Sequence, residues 1–176
     1  LSSGPRTNPW YQECSMRQVE KGDMLSFDTD LVGPYGYCCD MSRSWICDAK
    51  PTDEQRSLYA AAYEQIKLNM ELLKPGVSFK ELTEKLHPMA DEFIPGRYGV
   101  AMHGVGLCDE FPTIYYREDY ATEGYDGVFQ PGMVMCVEAL IGSHGGREAV
   151  KLEEQVLITA DGIEQLTSYP LETEWL

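Results

Sequence analysis

The chain has 176 residues and a net charge of −15, with 14 Lys+Arg against 29 Asp+Glu. That length fits one domain able to bury roughly 70% of its unfolded surface, and a hydrophobic content of 43% excludes a disordered acidic tail. There is no apolar run of about 18 residues to span a membrane, and the acid excess, which from Asp109 onward is opposed only by Arg117, Arg147 and Lys151, would repel nucleic acid. A cationic or zwitterionic small molecule, or metal ions, would suit such a surface.

The chain opens on Leu1-Ser2-Ser3-Gly4-Pro5-Arg6, neither an initiator Met nor a targeting segment, which predicts that it begins inside a longer protein. Residues 1–22 are polar and irregular up to the turn Lys21-Gly22-Asp23. A strand from Met24 to Leu31 places Leu25, Phe27 and Thr29 on one face and Ser26, Asp28 and Asp30 on the other. Gly33 and Pro34 reverse the chain into a second strand from about Tyr37 to Ile46, making a hairpin. A helix follows, with Thr52 and Gln55 as a capping box and an apolar stripe of Tyr59, Ala62, Ile66, Met70 and Leu73, stopping at Lys74-Pro75-Gly76. Ser78 and Glu81 open a second helix bearing Phe79, Leu82, Leu86, Met89 and Phe93, which Pro88 should kink or end.

Beyond Gly96 short strands are expected at Tyr98–Met102, Met133–Leu140 and Ala149–Thr159, with a long loop from about Pro112 to Gly132. The order β-β-α-α-β-β-β predicts an α+β domain, an antiparallel sheet with helices on one face. Cys14, Cys38, Cys39, Cys47, Cys108 and Cys136 contain no CxxC pair, so they read as buried thiols of a reducing, cytoplasmic protein.

Strand interiors exclude unpaired carboxylates, because burying a charge is costly. Here Asp28, Asp30, Asp40, Glu138 and one of Glu153 or Glu154 all fall in expected strands, and His103 lies in the Gly-rich run His103-Gly104-Val105-Gly106. Any one alone reads as a solvated edge acid. Together they read as a cluster that would repel itself unless cations intervene. Oxygen ligands with one imidazole suit two divalent first-row ions such as Mn, Fe or Co, or Zn.

The order Asp, Asp, His, Glu, Glu resembles the pita-bread metallohydrolase superfamily of methionine aminopeptidases, Xaa-Pro peptidases and creatinase. The local strings are Gly22 to Asp28, Gly36 to Arg43, His103 to Leu107, Gln130 to Glu138, and Val150 to Glu154 followed by Val156 to Thr159. The resemblance implies a pita-bread fold over residues 1–176, a single catalytic domain incomplete at its N-terminal side. It makes Glu153, rather than Glu154, the last ligand, and implies a homodimer in the full-length protein.

Departures from the peptidases are informative. No His precedes the first metal Asp, where this chain has Asn8-Pro9-Trp10-Tyr11-Gln12, and the peptidases' His-Glu-x-Pro is matched by Asp109-Glu110-Phe111-Pro112. These departures resemble one branch, the dimethylsulfoniopropionate lyases of the DddP type found in marine bacteria. That resemblance implies metal ligands Asp28, Asp30, Asp40, His103, Glu138 and Glu153, catalytic Asp109 as base with Tyr98, and iron as the first choice of metal. It also implies cleavage of a zwitterionic substrate into dimethyl sulfide and acrylate. A sulfonium cation suits aromatic faces, for which Trp10, Tyr11 and Tyr116 are candidate substrate-binding residues. Two alternatives stay open: an Xaa-Pro peptidase or creatinase-like hydrolase of the same fold, and a catalytically inactive binding module.

Overall fold

Alternation of side chains and a Gly-Pro reversal produce the first hairpin. β1 (Ser2–Ser3), β2 (Met24–Val32) and β3 (Cys38–Ile46) form one antiparallel sheet, with β2 and β3 in unbroken register from Met24↔Ile46 to Val32↔Cys38. The structure, a computed structural model, describes residues 1–9, 12 and 15–176. The two faces of β2 divide as the alternation predicts, but the polar face points inward. Ser26 is fully buried while Phe27 is 38% exposed against Trp45. The reason is the neighbour: this hairpin packs against a strand whose own side chains are polar.

α1 (Asp53–Met70) starts where the capping box requires, with Thr52 Oγ1 accepting from the Gln55 N–H and Gln55 Oε1 accepting from the Thr52 N–H. Its buried stripe includes Tyr59, Ala62, Ile66 and Met70 and lies on β6 (Val134–Ile141) and β7 (Val150–Ile158). α2 (Phe79–Lys85) ends three residues before Pro88, with Leu86 already extended at ψ 141°. Pro88 thus terminates rather than kinks it, and Met89 and Phe93 reach the core from the segment beyond.

The expected single sheet is two. β4 (Val100–Val105), β5 (Asp109–Tyr115), β6, β7 and β8 (Ile163–Gln165) make a second antiparallel sheet in the order β5-β4-β6-β7-β8. Side chains stitch β3 to β7: Ser44 Oγ donates to the Lys151 carbonyl at 3.0 Å and accepts the Lys151 N–H at 3.1 Å, and Arg43 Nη1 donates to the Glu153 carbonyl at 2.6 Å.

The expected loop over 112–132 is also corrected, because it holds the end of β5 and a short helix, α3 (Arg117–Glu123). Pro112 hides the strand from pattern reading, yet β5 is an edge strand, where a missing N–H is tolerated. α3 carries no side-chain cap to announce it. The buried-thiol expectation holds for Cys136, whereas Cys39 and Cys108 are exposed. Among the described residues no helix is long and apolar enough to cross a membrane.

Candidate metal centre

Strand pairing turns residues distant in sequence into neighbours. Asp30 lies opposite Asp40 across the hairpin, Glu138 opposite Glu153 on β6 and β7, and His103 on β4 opposite Cys136 on β6. His103 Nε2 is 3.2 Å from Glu153 Oε1 and 3.5 Å from both Asp40 Oδ2 and Glu138 Oε1. Two sets of donor atoms lie within 4.8 Å of one another. One is fully buried, Asp40, His103, Cys136 and Glu153, and the other opens outward, Asp30, Asp40 and Asp109. Asp40 belongs to both, so the arrangement has room for two adjacent ions sharing a carboxylate. Asp28 falls in neither set; its oxygens lie 2.5 Å from Ser42 Oγ and 3.2 Å from Lys151 Nζ. Glu154 points to the opposite face and pairs with buried Arg43 at 3.0 Å.

The electrostatics of the cluster are those of a site built for cations. Burial, reinforced by the charges of Glu153 and Asp28, pushes the Asp40 carboxyl up to about 9. Burial also raises Glu138, to about 7, against the opposing pull of Lys151. Burial works against a charged His103, but Glu153, Glu138 and Asp40 overcome it and push the imidazole up to about 10. Burial opposes the Glu153 charge too, yet Lys151 and His103 hold its carboxyl below the usual range. Asp40 Oδ1 and Glu138 Oε1 are buried without a hydrogen-bond partner. Such oxygens are costly when unpaired, and a divalent ion would satisfy them. The donor set therefore fits first-row divalent metals.

Pattern reading missed Lys151. It is 3% exposed, and its ammonium lies 2.8 Å from Glu138 Oε2, 3.5 Å from Glu153 Oε2 and 3.1 Å from Ser42 Oγ. Its signal was a lysine between Val150 and Leu152, in a strand whose next inward residue is an acid.

A cavity of about 460 Å³ opens onto the cluster, walled by Asp30, Asp40, Tyr98, His103, Glu110 and Glu138 among others. Asp109 is not part of that wall; it lies beside the cluster, with Oδ1 3.8 Å from His103 Nδ1, and burial raises its carboxyl above the ordinary range. A bulge puts it there: two steps along β4, from His103 to Val105, match four along β5, from Thr113 to Asp109. Gly104 permits the close approach, since a Cβ there would strike the Phe111 carbonyl oxygen. Tyr98 lines the cavity and donates its hydroxyl to Glu110 Oε2 at 3.0 Å. Tyr116 does not line that cavity and is corrected to a core residue: it is 4% exposed, in the hydrophobic cluster, its ring under Arg97 at 5.5 Å. Trp10 and Tyr11 lie outside the described residues.

Comparison with known proteins is consistent with this geometry. Residues 1–160 match the family model for metallopeptidase family M24. The chain is 51% identical over 173 residues to dimethylsulfoniopropionate lyase DddP of Roseovarius nubinhibens, and 50% identical to that of Roseobacter denitrificans. Each alignment covers 98% of this chain and 39% of the relative. An Xaa-Pro dipeptidase of Pyrococcus furiosus is 32% identical over 171 residues, covering 95% of this chain and 46% of that protein. Among solved structures, prolidase from Pyrococcus furiosus superposes with a TM-score of 0.77 at 31% identity, over 96% of this chain and 48% of that one. An X-Pro aminopeptidase from Thermotoga maritima gives 0.78 at 27% identity, over 96% of this chain and 46% of its own. The fold is therefore the pita-bread fold, and the chain spans about two-fifths of the length of the lyases it matches.

Proposed function

The chain belongs to metallopeptidase family M24, and from that premise we propose that it is the catalytic part of a carbon–sulfur lyase that splits dimethylsulfoniopropionate into dimethyl sulfide and acrylate. Identity supports the reading, being about half to two lyases and about a third to a dipeptidase. The observation that carries it is Asp109, a carboxylate 3.8 Å from His103 and grouped with Asp30 and Asp40 on the outward side of the cluster, in the place where the peptidase pattern has a histidine.

Asp28, Asp30, Asp40, His103, Glu138 and Glu153 would hold two divalent ions, iron first and Mn, Co or Zn as alternatives. Ions held there would supply Lewis acidity toward the substrate carboxylate and toward the charge developing beside it. Asp109 takes the proton on the carbon α to that carboxylate. The freed electron pair becomes the carbon–carbon double bond of acrylate, the carbon–sulfur bond breaks, and its pair leaves on sulfur as neutral dimethyl sulfide. The raised carboxyl pKa makes Asp109 a stronger base than an exposed aspartate. Tyr98 lines the cavity, where its ring would offer an aromatic face to the sulfonium of the bound substrate.

The test sets two substrates side by side on the metal-loaded, full-length protein. Headspace gas chromatography is expected to register dimethyl sulfide from dimethylsulfoniopropionate, with no hydrolysis of an Xaa-Pro dipeptide. Dipeptide cleavage without dimethyl sulfide would make the protein a peptidase.

A further inference from the structure

Glu110 stands in the cavity wall, and the elimination gives it no task. Its backbone is left-handed, at φ 59°, a conformation that costs an L side chain on the order of 1 kcal/mol. Three features impose it: the bulge in β5, the Glu110 N–H donating to Asp109 Oδ1 at 3.0 Å, and Thr113 Oγ1 donating to the Glu110 carbonyl at 2.6 Å. The bend directs the carboxylate to the Tyr98 hydroxyl at 3.0 Å, and both residues border the cavity. A merely hydrated acid needs no such bend, because an ordinary outward strand position solvates it without strain.

We infer that Glu110 is a specificity-determining residue, forming with the Tyr98 ring the subsite for a permanent cation on the substrate. The inference rests on the lyase reading, in which the substrate carboxylate faces the metal cluster and the sulfonium end faces the rim. A dimethylsulfonium group has no N–H to donate, so it is recognised by charge and by its polarised methyl groups against carboxylate and aromatic faces. The acids of the cluster cannot serve, since their charge would be taken up by the ions they hold. Glu110 belongs to neither set of clustered donors and is not among the residues that would hold the ions, and its carboxylate instead meets the Tyr98 hydroxyl at the cavity wall.

Calorimetric titration of the metal-loaded, full-length protein with two unreactive ligands of the same chain length tests this. β-Alanine betaine carries a permanent cation at the position of the sulfonium, and isocaproate carries a neutral branched carbon there. Glu110→Gln is expected to weaken the betaine about fivefold and isocaproate less than twofold, with Glu110→Asp intermediate for the betaine. Equal losses for both ligands, no loss for either, or a wild type that binds the betaine no better than isocaproate overturns the inference. Neither titration depends on turnover. Absence of dimethyl sulfide from the wild type would overturn the lyase reading, while the ratio of the two affinities still reports on Glu110.

Discussion

Asp109→Asn is expected to lower the rate of dimethyl sulfide release by about 10²- to 10⁴-fold, the usual contribution of a positioned general base, with metal content unchanged. Asn keeps the shape of the side chain and can still accept the Glu110 N–H that Asp109 Oδ1 accepts at 3.0 Å, so the bulge should persist. What it loses is the ability to take a proton. Elemental analysis beside the rate measurement gives the result its meaning, because Asp109 also lies within 4.8 Å of the donor oxygens of Asp30 and Asp40. If the variant loses an ion together with its activity, Asp109 is a ligand and the base must be sought elsewhere. If it keeps both its metal and its rate, Asp109 has neither role.

Lys151→Met should produce the largest loss of stability, about 3–5 kcal/mol in the metal-free protein, as expected when one partner is removed from a buried charge cluster. Lys151 is 3% exposed, and its ammonium touches Glu138, Glu153 and Asp28. Methionine fills a similar volume without charge, so the deficit is electrostatic rather than a cavity. Divalent metal should restore much of the loss, since an ion placed between the same carboxylates supplies the missing positive charge. Denaturant melts of the variant, with and without metal, check both halves. An unchanged apoprotein would mean that Lys151 does not neutralise the cluster.

Much of the fold was legible because local chemistry and tertiary structure agree. Thr52 and Gln55 announce α1 and cap it, and the Asp30–Asp40 spacing fits a hairpin that puts the two residues opposite each other. Glu138 was conspicuous as the one acid in the apolar run from Val134 to Leu140. Where reading failed, the decisive partner lay in another strand. Lys151 looks like a solvated strand lysine until β2, β3 and β6 place Asp28, Ser42 and Glu138 around it. The loop expected from about Pro112 takes in the second half of β5 because Pro112 interrupts the alternation, yet the bulge in that irregular strand sets Asp109 beside His103 and Glu110 in the cavity wall. Tyr116 adjoins the acidic segment in sequence, and its direction was set by the core and by Arg97 rather than by that neighbourhood.

Anomalous diffraction from crystals of the full-length protein, collected across the absorption edge of each bound metal, would reach the cluster itself. Two peaks are expected, one among Asp40, His103 and Glu153 and a second toward Asp30, with Asp40 between them. A map with no peak near these side chains, from protein that still releases dimethyl sulfide, would contradict the assignment of Asp40, His103, Glu138 and Glu153 to a metal centre.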